Sequence, residues 1–250
     1  MRLLACLLAI TIAPGMAIAD GPIASSSFTG VEDPLYENGA WAPLTSLAPQ
    51  GIRFQKNNGA LPDRFTGPDH NHAGARTTAV IPADHYCEIV VGHLGDNSNN
   101  LGPIVRVQPS GSSIDSHYLW WATRSNGLNE LYRVDANGSS YNASPILASS
   151  PVADGDRLRL IARGQVIYGI RNGVRDFIYN TGPDAIRYSA GTAGMLAYPS
   201  GPTLTDDVIA SWSSGAAPVS SGTWASTTPG RPDGCCSSTP TTRPGRESSR

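Results

Sequence analysis

Apolar and polar residues alternate with a period of two through the middle of this chain. Residues 157–162 read Arg-Leu-Arg-Leu-Ile-Ala, which places both leucines on one face of a strand. The same alternation continues over residues 166–171 and returns over residues 174–179, with Asn172-Gly173 between them. An Asn-Gly pair between two such runs predicts a β-hairpin, because both residues of the turn must adopt positive φ.

Similar short runs recur along the chain, and no segment keeps a helical period over three turns. They comprise residues 77–82, 86–91, 103–107, 118–123, 130–135 with 139–141 across Ala136-Asn137-Gly138, 194–198 and 207–212. Many short strands separated by turn residues predict an all-β antiparallel sandwich or barrel. The strand runs and the turns between them fill residues 20–213, which we predict to be one domain.

The two ends of the chain differ from this domain in composition. Residues 1–19 have a positive Arg2, an apolar run and a small-residue site ending at Ala19, which together predict a cleaved signal peptide. No later run reaches the ~18 apolar residues of a membrane span. Residues 214–250 are rich in Ser, Thr, Pro and Gly, and we predict a disordered tail there. The protein is thus expected to be secreted or periplasmic, without insertion into a membrane.

Charge and cysteine content narrow the possible functions. The chain has 18 Lys+Arg against 20 Asp+Glu, and this balance argues against a nucleic-acid partner. Cys87 lies in an apolar strand pattern and is interpreted as a small buried hydrophobe, although a catalytic thiol assisted by His85 is an alternative. Removal of the signal peptide leaves an odd number of cysteines, so Cys235 or Cys236 could form an intermolecular disulfide.

Two segments have weak metal-binding character. His70 and His72 could face the same side of a strand as zinc ligands, but no third ligand is indicated. Residues 96–100, Asp-Asn-Ser-Asn-Asn, offer the oxygen ligands that calcium prefers. Such runs are more often turns, since Asp and Asn side chains bond locally to the backbone. We predict no cofactor and leave a structural calcium ion open.

The predicted strands also carry a family resemblance. Its elements are Phe28-Thr29-Gly30, Trp41, residues 86–91, 102–106, 155–160, 172–174, 190–195 and 206–212. In this order they resemble the concanavalin A-like lectin/glucanase superfamily, in particular its bacterial laminin-G-like members. The resemblance spans about residues 26–213 and implies a jelly-roll sandwich. It implies no particular activity, because one fold serves many functions.

The catalytic residues of related enzymes have only partial counterparts in this sequence. Glucanases of this superfamily use a Glu-x-Asp-x-x-Glu strand, which is absent here; the nearest arrangement is Asp84 and Glu88, interpreted as a solvated strand edge. Lyases on the same fold need Arg, Gln, His and Tyr, and Arg106, His117 and Tyr118 form a loose counterpart. A polysaccharide hydrolase or lyase therefore remains the alternative, beside a structural or adhesive envelope protein.

The leading hypothesis is an exported, non-catalytic sandwich that binds glycan or another cell-surface ligand. Successive side chains of a strand point to opposite faces, so Trp120 and Trp121 cannot share one. We expect Trp121 in the core and Trp120 exposed beside Tyr118, available to stack on a sugar ring. The predicted ligand-binding residues are Trp120, Tyr118, Arg106 and Tyr132.

Overall fold

The structure, a computed structural model, describes residues 21–44, 54–62, 73–95, 100–109, 115–124, 128–135, 140–142, 147–148, 151–198 and 207–218. Apart from a short 3-10 turn, Glu37–Gly39, the regular elements of these residues are strands. In chain order they are β1 (Ala24–Ser26), β2 (Val31–Glu32), β3 (Trp41–Pro43), β4 (Phe54–Asn57), β5 (Ala60–Pro62), β6 (Ala73–Thr77), β7 (His85–His93), β8 (Asn100–Gln108), β9 (Ser116–Thr123), β10 (Leu128–Val134), β11 (Ser140–Asn142), β12 (Leu147–Ala148), β13 (Arg157–Arg163), β14 (Val166–Arg171), β15 (Val174–Asn180), β16 (Thr192–Tyr198) and β17 (Val208–Ala216).

The strands form two antiparallel sheets that pack face to face. Sheet A has the order β15-β14-β13-β7-β17-β5-β4-β2, with β1 paired to β17. Sheet B has the order β11-β10-β9-β8-β16-β6-β3, with β12 paired to β10. The predicted all-β antiparallel sandwich is confirmed. No helix among the described residues is long and apolar enough to cross a membrane.

The centre of the core joins the two sheets through Cys87. The Cys87 thiol donates to the carbonyl oxygen of Gly194 in sheet B at 3.0 Å, and the indole N–H of Trp212 donates to the Cys87 sulfur at 3.1 Å. Trp41 meets Trp212 edge to face, with ring centroids 4.8 Å apart. Cys87 is fully buried, which confirms its interpretation as a small buried hydrophobe, and this burial raises the pKa of its thiol to about 12.

Both predicted hairpins are present. Strands β14 and β15 flank Asn172 and Gly173, whose φ angles of 52° and 84° are the positive values that the turn requires. Strands β10 and β11 pair in antiparallel register, with Arg133 opposite Tyr141. For the Asn172-Gly173 connection, the local turn chemistry was therefore sufficient to place the hairpin.

Two predicted boundaries differ from the structure. The strand predicted over residues 77–82 is misplaced: β6 spans Ala73–Thr77, and the Thr77 hydroxyl accepts from the Ala79 N–H where the chain leaves the strand. The last strand continues past residue 213 to Ala216, pairing along its length with β7 as far as His85. Ser214 is fully buried in that pairing, so the strand is three residues longer than the run of sequence up to residue 213.

Several predictions concern residues outside the described ranges. They are the signal peptide over residues 1–19, the tail after residue 218, the zinc pair His70 and His72, residues 96–99 of the calcium segment, and Cys235 with Cys236. These remain predictions. No group of three or more His, Cys, Asp or Glu side chains within the described residues is placed to hold a metal ion.

Candidate functional site

The two adjacent tryptophans of β9 face opposite ways, but the predicted orientation is wrong. Trp120 is fully buried in the core, where its indole meets Phe177 edge to face with centroids 5.1 Å apart. Trp121 is half-buried on the outer face of sheet B. The reason lies in the pairing of β9 with β8, which places Tyr118 opposite the core residue Val105 and so turns residues 118 and 120 inward.

Tyr118 and Arg106 are likewise not exposed. Tyr118 is fully buried, and Arg106 is 1% exposed at a bulge of β8, where its φ is 56°. The Arg106 guanidinium donates to the carbonyl oxygens of Tyr188 at 2.9 Å and Gly164 at 2.8 Å, and lies 3.4 Å from Asp84. Burial lowers the pKa of Arg106. This arginine therefore links chain segments of both sheets, and its guanidinium is engaged by backbone carbonyl oxygens.

The fourth predicted ligand residue, Tyr132, does lie at the surface, within a group of aromatic side chains. Trp121 is its central member: its ring centroid is 6.0 Å from that of Tyr132 and 5.8 Å from that of Tyr198. All three side chains are half-buried. We call Trp121, Tyr132, Tyr198 and the adjacent Glu130 the aromatic surface of sheet B.

The strand register explains how the aromatic surface forms. Trp121 lies opposite Glu130, and Tyr132 lies opposite Leu119, on neighbouring strands β9 and β10. Leu119 belongs to a buried apolar cluster on the same outer face, and both Trp121 and Tyr132 pack against that cluster. On β8, Gly102 approaches β9 so closely that a Cβ atom would lie 1.6 Å from the Trp120 carbonyl oxygen. The glycine leaves this position on the outer face without a side chain.

A hydrogen bond sets the polar character of the surface. The Tyr132 hydroxyl donates to the Glu130 carboxylate. Burial and the neighbouring Glu130 carboxylate raise the pKa of Tyr132 to about 12, so the phenol stays protonated. The pair thus offers carboxylate oxygens as hydrogen-bond acceptors beside three aromatic rings.

The loose lyase arrangement does not assemble. Arg106 and Tyr118 point between the sheets, whereas His117 faces the other side of β9, opposite Val134 of β10. His117 is fully buried, and its burial lowers its pKa to about 4. Its Nδ1 is 2.9 Å from the Asp115 carbonyl oxygen, and its Nε2 has no partner among the described residues. The structure therefore separates His117 from Arg106 and Tyr118.

The carboxylates Asp84 and Glu88 also have other partners. Strand β7 lies between β13 and β17, so the interpretation of Glu88 as a solvated strand edge is wrong. Glu88 is 7% exposed and forms ion pairs with Arg157 and Arg159 on the outer face of sheet A. Asp84 lies in a bend before β7, where it accepts from the Gly164 N–H at 2.8 Å and pairs with Arg106. Glu88 is thus held by two arginines, and Asp84 is held by Arg106 and the Gly164 backbone N–H.

Known structures share this architecture at low sequence identity. β-Agarase A in complex with oligoagarose is 9% identical and has a TM-score of 0.57, over 76% of this chain and 89% of that one. The protein BuGH16Bwt is 8% identical with a TM-score of 0.52, over 76% and 90%. The carbohydrate-binding module CBM66 from Bacillus subtilis is 13% identical with a TM-score of 0.44, over 71% and 92%.

By sequence, no family profile and no curated protein matches the chain. The fold is shown instead by the two antiparallel sheets and by the likeness to the agarase and to BuGH16Bwt. As the resemblance predicted, the chain has a concanavalin A-like fold, a jelly-roll β-sandwich.

Proposed function

We propose that this protein is an exported, non-catalytic glycan-binding sandwich and that the aromatic surface of sheet B contacts the sugar. The observation that carries the proposal is the half-buried Trp121 with Tyr132 and Tyr198 beside it. Aromatic faces offer a large apolar area against which the C–H face of a sugar ring can pack. The Glu130 carboxylate lies at the same place to accept hydrogen bonds from sugar hydroxyls.

The shared fold supports glycan as the ligand class. The agarase with the same architecture is described in complex with oligoagarose, a carbohydrate. Because fold alone does not fix function, the proposal depends on the aromatic surface of this chain and uses the likeness only as support. Of the residues predicted as ligand contacts, Tyr132 is retained; Trp121 takes the stacking role first given to Trp120.

The engagement of the carboxylates supports the non-catalytic part of the proposal. Glycoside hydrolysis generally uses two carboxyl groups that flank the scissile bond, roughly 5–9.5 Å apart. In sheet B, Glu130 is bonded to Tyr132, whereas Glu88 lies on the other sheet between two arginines. Because these two carboxylates lie on different sheets, they cannot flank one glycosidic bond, and each fits a binding role better than a shared catalytic one.

The test measures polysaccharide binding and turnover with the same samples. Affinity gels with a panel of neutral polysaccharides should identify at least one that retards the protein. The variant Trp121→Ala should weaken that interaction by about tenfold, since it removes the central ring contact. Tyr168→Ala, at a half-buried aromatic residue on the outer face of sheet A, is the matched control and should leave the affinity unchanged.

Each remaining outcome decides one part of the proposal. Unchanged affinity in Trp121→Ala would refute the site. New reducing ends or unsaturated uronates after incubation would refute the non-catalytic assignment and favour a hydrolase or a lyase. Absence of binding to every glycan, with tight association to a cell-surface protein, would favour the adhesive alternative.

A further inference from the structure

A shallow cleft lies on the outer face of sheet A, the sheet opposite the aromatic surface. It has a volume of about 180 Å³ and is lined by Glu88, Arg157, Arg159, Ile170 and Gly173. We call these five residues the arginine cleft. They come from β7, β13, β14 and the Asn172-Gly173 turn, all in the regular part of the sheet.

The charges of the cleft are unequal. Arg159 lies directly opposite Glu88 across the β7–β13 ladder and donates from Nε to one carboxylate oxygen at 2.8 Å. Arg157 donates from Nη2 to the other oxygen. Two guanidinium groups thus share one carboxylate, which leaves an excess positive charge. Each guanidinium has five N–H donors, and among the described residues each uses one of them, on Glu88.

The guanidinium groups are both held in place and accessible. The Arg159 guanidinium carbon lies 4.6 Å from the centre of the Tyr86 ring, a cation–π contact that fixes its plane. Side-chain exposure is 59% for Arg157 and 32% for Arg159, against 9% for Glu88. The buried carboxylate therefore holds one donor of each arginine, and both guanidinium side chains keep exposed surface.

A third arginine extends the positive charge across the sheet. Arg175 on β15 is exposed and lies opposite Ile170 of the cleft. Arg157 and Arg159 are two residues apart on one strand, which separates their Cα atoms by about 6.6 Å. Arg175 lies two strands away from them, about 10 Å across the sheet. These separations allow contact with several anionic groups along one chain. The net charge of the whole protein is -2, so attraction of an anion would have to come from a local excess of arginine such as this one.

We propose that the arginine cleft binds the sulfate or carboxylate groups of an acidic polysaccharide. Guanidinium groups bind such oxyanions with paired, charge-assisted hydrogen bonds. The cleft is shallow, so it suits a charged substituent on a polymer better than a small molecule that must be enclosed. The proposal rests on the proposed function only for the choice of a glycan as the polymer; the site and its residues are separate from the aromatic surface.

The experiment compares dextran sulfate with dextran, which share a backbone and differ in charge. The protein should bind dextran sulfate more tightly, and this excess affinity should fall at high salt. Arg157→Gln should weaken dextran sulfate binding by about tenfold, through loss of one charge-assisted contact. Arg187→Gln removes an exposed arginine whose described contact is with the Gly182 carbonyl oxygen, outside the cleft. This control should change the affinity less than twofold.

A second variant gives an effect of opposite sign. Glu88→Gln keeps the shape of the side chain but removes the competing negative charge, so affinity for dextran sulfate should increase several-fold. Melting curves show whether each variant is folded; if Glu88→Gln is unfolded, Arg157→Gln and Arg159→Gln carry the test.

The results that overturn the proposal are distinct from those that concern the aromatic surface. Equal losses in Arg157→Gln and Arg187→Gln would show only non-specific attraction and would overturn the site. Inorganic sulfate binding as tightly as the polymer, or a single-stranded oligonucleotide binding more tightly, would overturn the polysaccharide assignment. Trp121→Ala should leave the sulfate-dependent part of the affinity unchanged, so failure of the proposed function and failure of this site give different patterns.

Discussion

Replacement of Trp120 by Ala should be among the most destabilising single changes in the domain. The indole is fully buried between the sheets and packs against Phe177. Removal of a buried tryptophan loses its transfer free energy and leaves a cavity, a cost of about 3–5 kcal/mol. In a domain of this size such a loss lowers the melting temperature by roughly 10 °C.

The destabilisation expected for a substitution of Trp120 also depends on its indole N–H. Trp120 Nε1 is buried and has no hydrogen-bond partner among the described residues. Trp120→Phe removes this unpaired donor and keeps an aromatic ring in the core, so it should cost only about 1–2 kcal/mol. Trp121→Ala loses ring contacts on a half-buried face and should cost less than about 1.5 kcal/mol.

Urea denaturation followed by tryptophan fluorescence and circular dichroism measures all three variants. The expected order of unfolding free energy is wild type, then Trp121→Ala and Trp120→Phe close together, then Trp120→Ala well below. Equal destabilisation by Trp120→Ala and Trp121→Ala would refute the inward orientation of residues 118 and 120. A loss in Trp120→Phe as large as in Trp120→Ala would show that the buried N–H has a partner.

Three further predictions concern pH, the last strand and the core thiol. Burial lowers the pKa of both His85 and His117 from 6.5 to about 4, so the folded state binds fewer protons than the unfolded state. The free energy of unfolding is therefore highest above pH 6.5. It falls as the pH drops toward 4, by about 3 kcal/mol for each imidazole. Urea denaturation at each pH measures this fall, and His85→Gln should flatten it. Truncation after Ala217 should leave the melting temperature within a few degrees of that of the full chain. Truncation from Ser214 removes paired residues of β17 and should lower the melting temperature clearly. Equal effects of the two truncations would contradict this pairing. The buried Cys87 should be alkylated by iodoacetamide in urea but not in the folded protein, as peptide mass spectrometry can show, and rapid labelling of folded protein would contradict its burial.

The sequence alone was sufficient for features set by neighbouring residues. Alternation with a period of two identified most of the longer strands, such as β13, β14 and β15, since successive side chains on a strand must face opposite sides. The Asn172-Gly173 turn was predictable because its positive φ angles are a local property of those two residues. Likewise, Cys87 lay in an apolar run, and its burial followed from that pattern.

The aromatic surface and the arginine cleft depended on pairings that no local pattern contains. Periodicity shows that Trp120 and Trp121 are on opposite faces, but which face is covered depends on how β9 pairs with β8 and where the second sheet packs. Glu88 and Arg159 are far apart in the chain and become partners only through the register of β7 against β13. Local sequence thus determined which side chains share a face, and tertiary packing determined which of those faces is core, because burial is a property of the two sheets together.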